Sequence, residues 1–426
     1  MKPVVLITLG RLPKGLDLAR SFHRLGWRVI VAEPFRWHLS AMSNAVARRY
    51  TVTAPALSRE RYLDELLDIV LKEGVDLVVP VSEEIMHASH LAGRLPVGVQ
   101  LYSMPPQVLM PLHDKLQFIG RCRDYGVAAP ATCALGTPGA VDLAQAGDHI
   151  VKPVYSCSGR GVLFRRQGEA LPEVTPGQPA IVQRWVKGSV LSTFSIAAAG
   201  RPMVTVVYRG AVMSGTVSVC FERLTEADPQ HQPVIEWVSR FIAAARFAGF
   251  ISFDLVLDAD GQAHGIECNP RATSGLHFVD PDDLARAVVA SAGASQGAPD
   301  GLQAVRFRKP LLMQQFYPCL TEVQKSMFSP KAFGPDFRRN LSRFLHACDV
   351  TWHWRDPLPF ITMPLTASQI IWLSIRSGAT FGEVATLDVG LYAPDQMTST
   401  SGALPATTAG TAPGASSGTA SPSAVP

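Results

Sequence analysis

The chain has 426 residues, 47% of them hydrophobic, and a formal charge of +4. That length suffices for two or three domains with a sizeable core, and the composition excludes a fibrous or low-complexity protein. So small a charge with no dense Lys/Arg run excludes a nucleic-acid footprint, and seven scattered cysteines without a Cys-x-x-Cys pair fit reduced thiols in a cytoplasm.

Residues 1–110 alternate strand and helix. The apolar run Val4–Leu9 is too short for a signal core and is followed at once by Arg11 and Lys14, so it reads as a buried first strand. A helix is predicted over Leu16–Leu25, with Leu18, Phe22 and Leu25 on one face and Gly26 as its stop, then a strand at Val29–Ala32. A helix at Glu60–Lys72 and a strand at Asp76–Val81 continue the pattern of a parallel, doubly wound sheet. Its first turn, Gly10-Arg11-Leu12-Pro13-Lys14-Gly15, lacks Gly-x-Gly-x-x-Gly, which argues against a dinucleotide cofactor. Glu83 and Glu84 read either as acids answering the dipole of a helix capped by Ser82 or as substrate residues.

Asp114 is a good N-cap for a helix running to Tyr125, with Gly126 as its stop. Short strands near Thr132–Leu135, His149–Lys152, Gly161–Arg165 and Ala180–Val186 complete a small α+β lobe over 111–187. Strands within 190–223, a helix at Val234–Ala248, a hairpin at 249–271 and a helix at Pro281–Ala292 form a larger lobe over 188–300, with a cleft between the two. Residues 301–396 read as a mostly helical cap with no assigned chemistry. Leu358–Ile375 is apolar, yet Pro359, Pro364 and Gln369 interrupt it and it barely reaches spanning length, so no membrane partner is expected. From 397 to 426 the Ser, Thr, Ala, Gly and Pro composition predicts a disordered tail.

The chemistry concentrates in the hairpin. Asp260-Gly261 predicts a two-residue type I′ turn that sets residue 259 opposite 262 and Asp254 opposite Glu267. Alternation then puts Asn269 beside Glu267 on one face and Phe253, Leu255, Leu257, Ile266 and Cys268 on the other. Like charges so placed repel unless a cation neutralises them, and two carboxylates with an amide oxygen suit Mg²⁺ shared with phosphate. The same residues also fit an amphipathic hairpin whose acids face water. Upstream, Lys152-Pro153 leads into Ser156-Cys157-Ser158-Gly159-Arg160-Gly161, small residues whose backbone N–H groups can approach phosphate while Lys152 and Arg160 add charge. By itself that stretch fits a polar hairpin loop equally well. His113, His264 and His277 read as isolated turn or packing residues, and Arg209 and Arg223 as either cleft residues for a substrate carboxylate or solvated strand positions.

Taken in order, these motifs resemble the ATP-grasp superfamily. His113-Asp114-Lys115 with Gly126-Val127 and Pro130 is similar to its opening helix, Lys152-Pro153 with the Gly-rich loop to its phosphate lid, and Ile181-Val182-Gln183-Arg184-Trp185-Val186 to the interlobe strand whose backbone holds adenine. Asp254, Glu267, Asn269 and Arg271 stand at the spacing of its metal and phosphate residues. The first domain resembles the superfamily's preATP-grasp domain. One position departs from the pattern: the acid that commonly binds ribose is Val190 here, leaving the hydroxyls to Lys187 or Ser189 or to solvent.

The resemblance implies an α/β and α+β architecture: a Rossmann-like preATP-grasp domain, a two-lobed ATP-grasp fold, then the cap and tail. It implies an ATP-dependent ligase joining a small-molecule carboxylate to an amine, or to a thiol, through an acyl phosphate, with ATP and Mg²⁺ as cofactors and Mn²⁺ as a substitute. Lys115, Lys152, Ser156, Ser158, Gly159, Arg160, Gly161, Gln183, Arg184, Trp185 and Val186 would hold the nucleotide, Asp254, Glu267 and Asn269 the metal, and Arg271 with Lys152 would act on the transferring group. The alternatives are a carboxylase or carbamoyl-phosphate type of enzyme and a nucleotide-binding regulator without turnover. A cytoplasmic location is expected, with a homodimer one option for assembly.

Overall fold

The computed structural model describes residues 2–156, 161–293, 304–327, 334–377, 386 and 388–391. The first domain is a parallel sheet of β1 (Val4–Ile7), β2 (Arg28–Glu33), β3 (Arg48–Thr51), β4 (Leu77–Val79) and β5 (Gln100–Leu101), ordered β3-β2-β1-β4-β5. β1 is buried along its whole length because helices cover both faces of a parallel sheet. α1 (Pro13–Arg24) begins three residues earlier than the periodicity predicts, at a proline, whose missing N–H costs nothing in a first turn. α2 (Arg59–Glu73) is capped by the Ser58 hydroxyl and closed by Gly74 at φ +61°. The chain then passes through α3 (Ile85–Ala88) and α4 (Pro106–His113).

α5 (Lys115–Asp124) starts where Asp114 predicts, its carboxylate accepting the N–H groups of Leu116 and Gln117 at 2.9 Å each. An antiparallel sheet follows, β6 (Thr132–Ala134), then after α6 (Pro138–Ala146) β7 (His149–Pro153), β8 (Leu163–Arg165) and β9 (Ala180–Arg184), ordered β6-β9-β7-β8. The large sheet contains β10 (Gly188–Ala198), β11 (Arg201–Ser214), β12 (Val217–Arg223) and, beyond α7 (His231–Ala245), the hairpin β13 (Gly249–Asp258) and β14 (Ala263–Asn269). α8 (Pro281–Gly293) packs against α1, so one core cluster runs from Val5 and Ile7 of the first domain to Phe194, Phe250 and Phe278 of the large lobe.

Among the described residues, 301–396 hold helices α9 (Phe316–Met327), α10 (Pro335–His346) and α11 (Leu358–Ser377), but also β15 (Leu312–Gln314) and β16 (Cys348–Asp349). Both short strands extend the large sheet, β15 against β12 and β16 against β15. No helix among the described residues is long and apolar enough to cross a membrane. The tail expected over 397–426 lies outside the described residues. Further up the chain, Asp388 takes both terminal nitrogens of buried Arg11 at 2.7 and 2.8 Å, while Glu33 accepts from the Gly10 and Arg11 N–H groups and the Arg11 Nε. That cluster occupies the turn after β1, where a dinucleotide-binding sheet would carry its glycine fingerprint.

Candidate active site

The acidic hairpin rests on aromatic packing. Phe253 of β13 lies 4.8 Å from Phe241 and 5.1 Å from Trp237, ring centre to ring centre, and Phe118 of α5 joins the same cluster. The Trp237 indole donates to the Ala128 carbonyl at 2.8 Å, fixing the start of the small lobe to α7. The opposite face of the hairpin meets Lys115 and Lys152 of the small lobe.

Asp254 does pair with Glu267, but by a route other than the expected one. Asp258 and Gln262 close a loop that has residues 259–261 at its tip, with Gly261 at φ +77°, not a two-residue turn; Leu255 pairs with Gly265, and Ile266 is the extra residue of a bulge. The longer turn shifts the register by one residue and the bulge shifts it back. Lys152 Nζ donates to the Ile266 carbonyl at 2.9 Å, using an acceptor that the bulge frees from the ladder.

Around the two acids stand three cations. Lys115 Nζ is 3.4 Å from Glu267 and also donates to the Ser156 carbonyl at 2.8 Å. Lys152 is buried, and that burial brings its ammonium down to about 8 even against the pull of Glu267. Burial first and the charge of Glu267 second push Asp254 up to about 6, although Ser192 donates to it at 2.6 Å. Arg271 Nε donates to Glu83 at 2.6 Å and its Nη2 to Asn269 Oδ1 at 3.0 Å. Glu83 would rise on burial, but Arg271 and then His113 outweigh that and hold it at about 2.

Sequence reasoning left Glu83 between a helix-dipole acid and a substrate residue and missed its bond to Arg271. α3 starts only at Ile85 with no side-chain cap, and the Ser82 hydroxyl accepts from Lys14 Nζ at 3.1 Å, so the expected Ser82 cap is not formed. Glu84 instead accepts from the Val81 and Ser82 N–H groups and the Thr8 hydroxyl, and Glu83 reaches across to the large lobe. Two adjacent acids after an apolar strand were the available signal. The three histidines are likewise not isolated: His113 lies 3.8 Å from Glu83, His264 2.8 Å from Asp258 and His277 2.7 Å from Asp17.

The expected nucleotide residues separate into groups. Ser156 is buried against Lys115, and Gly161 has φ +70°, where an added Cβ would meet Pro153 at 2.9 Å; Ser158, Gly159 and Arg160 lie outside the described residues. Gln183 is buried and donates from its side chain to Thr132 at 2.9 Å. The Arg184 and Trp185 N–H groups donate to Ala131 and Asp148 carbonyls, so a base held by this strand must draw on its carbonyls or on Val186. Trp185 stays 40% exposed and meets Phe164 edge to face at 5.3 Å. Val190 is exposed, and the Ser189 hydroxyl is already taken by Gln230 at 2.8 Å. Arg209 is engaged by Glu222 at 2.8 Å; Arg223 stands in the same cross-strand row as Tyr208, Ser192, Asp254 and Glu267, its guanidinium 4.7 Å from the Phe307 ring centre and its Nε buried with no hydrogen-bond partner among the described residues.

A family profile described as an ATP-grasp domain matches residues 112–275, which contain the small lobe and the acidic hairpin. Residues 112–275 are an ATP-grasp domain. No curated protein sequence matches the chain. Among solved ATP-grasp folds, it is similar to N5-carboxyaminoimidazole synthetase from Staphylococcus aureus, at 14% identity and a TM-score of 0.57, over 77% of this chain and 86% of that one. The biotin carboxylase domain of Hydrogenobacter thermophilus 2-oxoglutarate carboxylase, solved with MgADP and bicarbonate, gives 13% and 0.56 over 71% and 72%. L-amino acid ligase from Bacillus licheniformis gives 15% and 0.54 over 68% and 74%. At these identities the likeness is one of fold.

The ATP-grasp residues present fit a hard divalent cation by their chemistry. Asp254 and Glu267 are opposed acids; burial first and the charge of Glu267 second raise Asp254, and the second of these would be relieved by added positive charge. Among the described residues no group of three or more His, Cys, Asp or Glu side chains forms a dedicated metal cage, and Mg²⁺, which keeps waters and shares its sphere with phosphate oxygens, does not require one. Asn269 needs rearrangement. Its nitrogen faces Asp254 at 3.3 Å and its oxygen faces Arg271, so its amide must turn over before it can offer oxygen to a cation.

Proposed function

We propose that the chain is an ATP-dependent ligase that activates a small-molecule carboxylate as an acyl phosphate and joins it to an amine, releasing ADP and phosphate. The observation that carries this reading is the convergence of Lys115, Lys152 and Arg271 on the opposed Asp254–Glu267 pair. ATP bound with Mg²⁺, or Mn²⁺ in its place, supplies the phosphoryl group and part of the charge neutralisation. In this mechanism Lys115 and Lys152 hold phosphate oxygens, and Asp254, Glu267 and a turned Asn269 hold the cation. Arg271, steered by Glu83 and Asn269, faces the charge that builds up on the transferring group. The segment between Ser156 and Gly161 starts from a seryl group already anchored on Lys115, and as a lid it would keep water from the activated acyl group. Arg223, whose buried Nε has no hydrogen-bond partner among the described residues, is the better of the two candidate arginines for a substrate carboxylate.

The fold of an L-amino acid ligase supports the carboxylate–amine reading, with a thiol acceptor as a variant of the same chemistry. The fold of a biotin carboxylase domain supports a second, carboxylase-type reading, distinguished by a requirement for bicarbonate. Under the first reading the enzyme would fall in EC class 6.3 and act on small molecules. Its test is a screen of carboxylate and amine pairs for ATP-dependent phosphate release, with hydroxylamine present to trap activated acyl groups. Hydroxamate formation with one acid supports it. Tight ATP binding with no substrate-dependent ADP release from any pair would make the chain a nucleotide-binding regulator.

A further inference from the structure

α11 carries two apolar faces, and the molecule itself covers one. Thr366, Ile370 and Leu373 are buried, with Ile370 and Leu373 packed on Phe35 and the helix lying against the short turn Leu39–Met42 of the first domain. The other face shows Leu358, Ile361, Leu365, Ser368, Trp372 and Ile375, all exposed, from 49% at Trp372 to 79% at Ile375 among the apolar ones, and exposed Pro364 and Ile371, the latter also at 49%, border it on one side. These positions form a stripe of about 100° along the helix. No acidic or basic residue occurs between Leu358 and Ile375. Isolated exposed leucines are ordinary; a continuous uncharged stripe of this size marks an interaction surface.

We propose that a second copy of this chain covers the stripe, through an antiparallel α11–α11 pair about a two-fold axis. The spacing carries the argument. Successive gaps of 3, 4, 3, 4 and 3 residues read the same in both directions, so an inverted copy meets the stripe position for position: Leu358 with Ile375, Ile361 with Trp372, Leu365 with Ser368. The 3-4 alternation is that of two helices packed at a shallow angle, and the small Ser368 opposite Leu365 lets the axes approach closely at the centre. An isologous contact of this kind closes on itself and yields a dimer, not a filament.

Size and charge agree. The exposed fractions amount to roughly 600 Å² of apolar surface on each copy, most of the roughly 800 Å² per partner of a standard interface. Arg376, stacked 4.9 Å from the Trp372 ring centre, falls at the rim. A bilayer-seated helix would be expected to flank its apolar face with Lys and Arg, which this helix lacks until Arg376. Residues 397–426 have only Met397, Leu404 and Val425 as large apolar side chains, too few to cover the stripe. The inference does not depend on the ligase reading, because α11 contributes none of the site residues.

The test is sedimentation equilibrium of the full chain over a wide concentration range, with Ile361→Asp, Trp372→Asp and, as a control at an exposed residue elsewhere, Val97→Asp. A dimer is expected for the wild type and the control, and at least roughly a hundredfold weaker association for each stripe variant, with unchanged thermal melting. Oxidation of a Leu365→Cys, Ser368→Cys double variant should crosslink two copies, whereas Ser368→Cys alone should not. A wild-type monomer at all concentrations, or stripe variants that remain dimeric, would overturn the proposal. So would crosslinking of Ser368→Cys alone, which is the mark of parallel helices, or co-sedimentation with phosphatidylcholine–phosphatidylglycerol vesicles that Ile361→Asp abolishes.

Discussion

Replacing Glu83 by Gln tests the link between the first domain and the proposed catalytic face. The Glu83 side chain is 3% exposed and bonded to Arg271 at 2.6 Å, so solvent screens the pair very little. Its carboxyl is held at about 2 instead of 4.5, which corresponds to about 3 kcal/mol of stability at pH 7. Because the folded value is the depressed one, this contribution is complete above the unfolded value and is lost as pH falls from about 4.5 to about 2. Glu83→Gln should therefore lower the free energy of unfolding in urea at pH 7 by about 3 kcal/mol and flatten the acid dependence over that window. Loosened from Glu83, Arg271 should also lose its aim, so turnover should fall with ATP affinity little changed. A loss under about 1 kcal/mol, with an unaltered acid limb, would refute the reasoning.

Three further outcomes are expected. Glu267→Gln should abolish ADP production while leaving the melting temperature near that of the wild type, since this acid faces the cleft and not the core; ADP release by the variant would rule out its metal role. Lys152→Ala should weaken ATP binding by about 1.5–3 kcal/mol in calorimetry, the contribution of a hydrogen bond to a charged group, and unchanged affinity would reject the assignment. The pH profile should be bell-shaped: activity rises through about 6 as Asp254 ionises and can hold a cation, and falls through about 8 as Lys152 loses its proton. A rate independent of pH across that range would show that neither group governs turnover.

Much of this arrangement could be read in the sequence because its signals are local. The Asp114 cap, the alternation along Gly249–Asp258 and the Lys152-Pro153 strand end each depend on neighbours a few residues away. The Asp254–Glu267 pairing was legible for a less secure reason: the Asp-Gly turn is one residue longer than its composition predicts, and the bulge at Ile266 compensates. Nothing local announces that bulge, since its freed carbonyl is taken by Lys152, 114 residues earlier. The Glu83–Arg271 bond, spanning 188 residues, was illegible for the same reason. β15 and β16 escaped because strands of three and two residues carry no period, and they exist only because β12 offers an edge.

The Arg11–Asp388 contact joins groups 377 positions apart. Arg11 and Glu33 leave the ribosome early and can meet at once, but their cluster lacks its second carboxylate until almost all of the described chain has been synthesised. Truncation before Asp388 would take from the Arg11 guanidinium the carboxylate that accepts from both its terminal nitrogens, so this part of the rim above the first strand is completed only by residues made after both lobes.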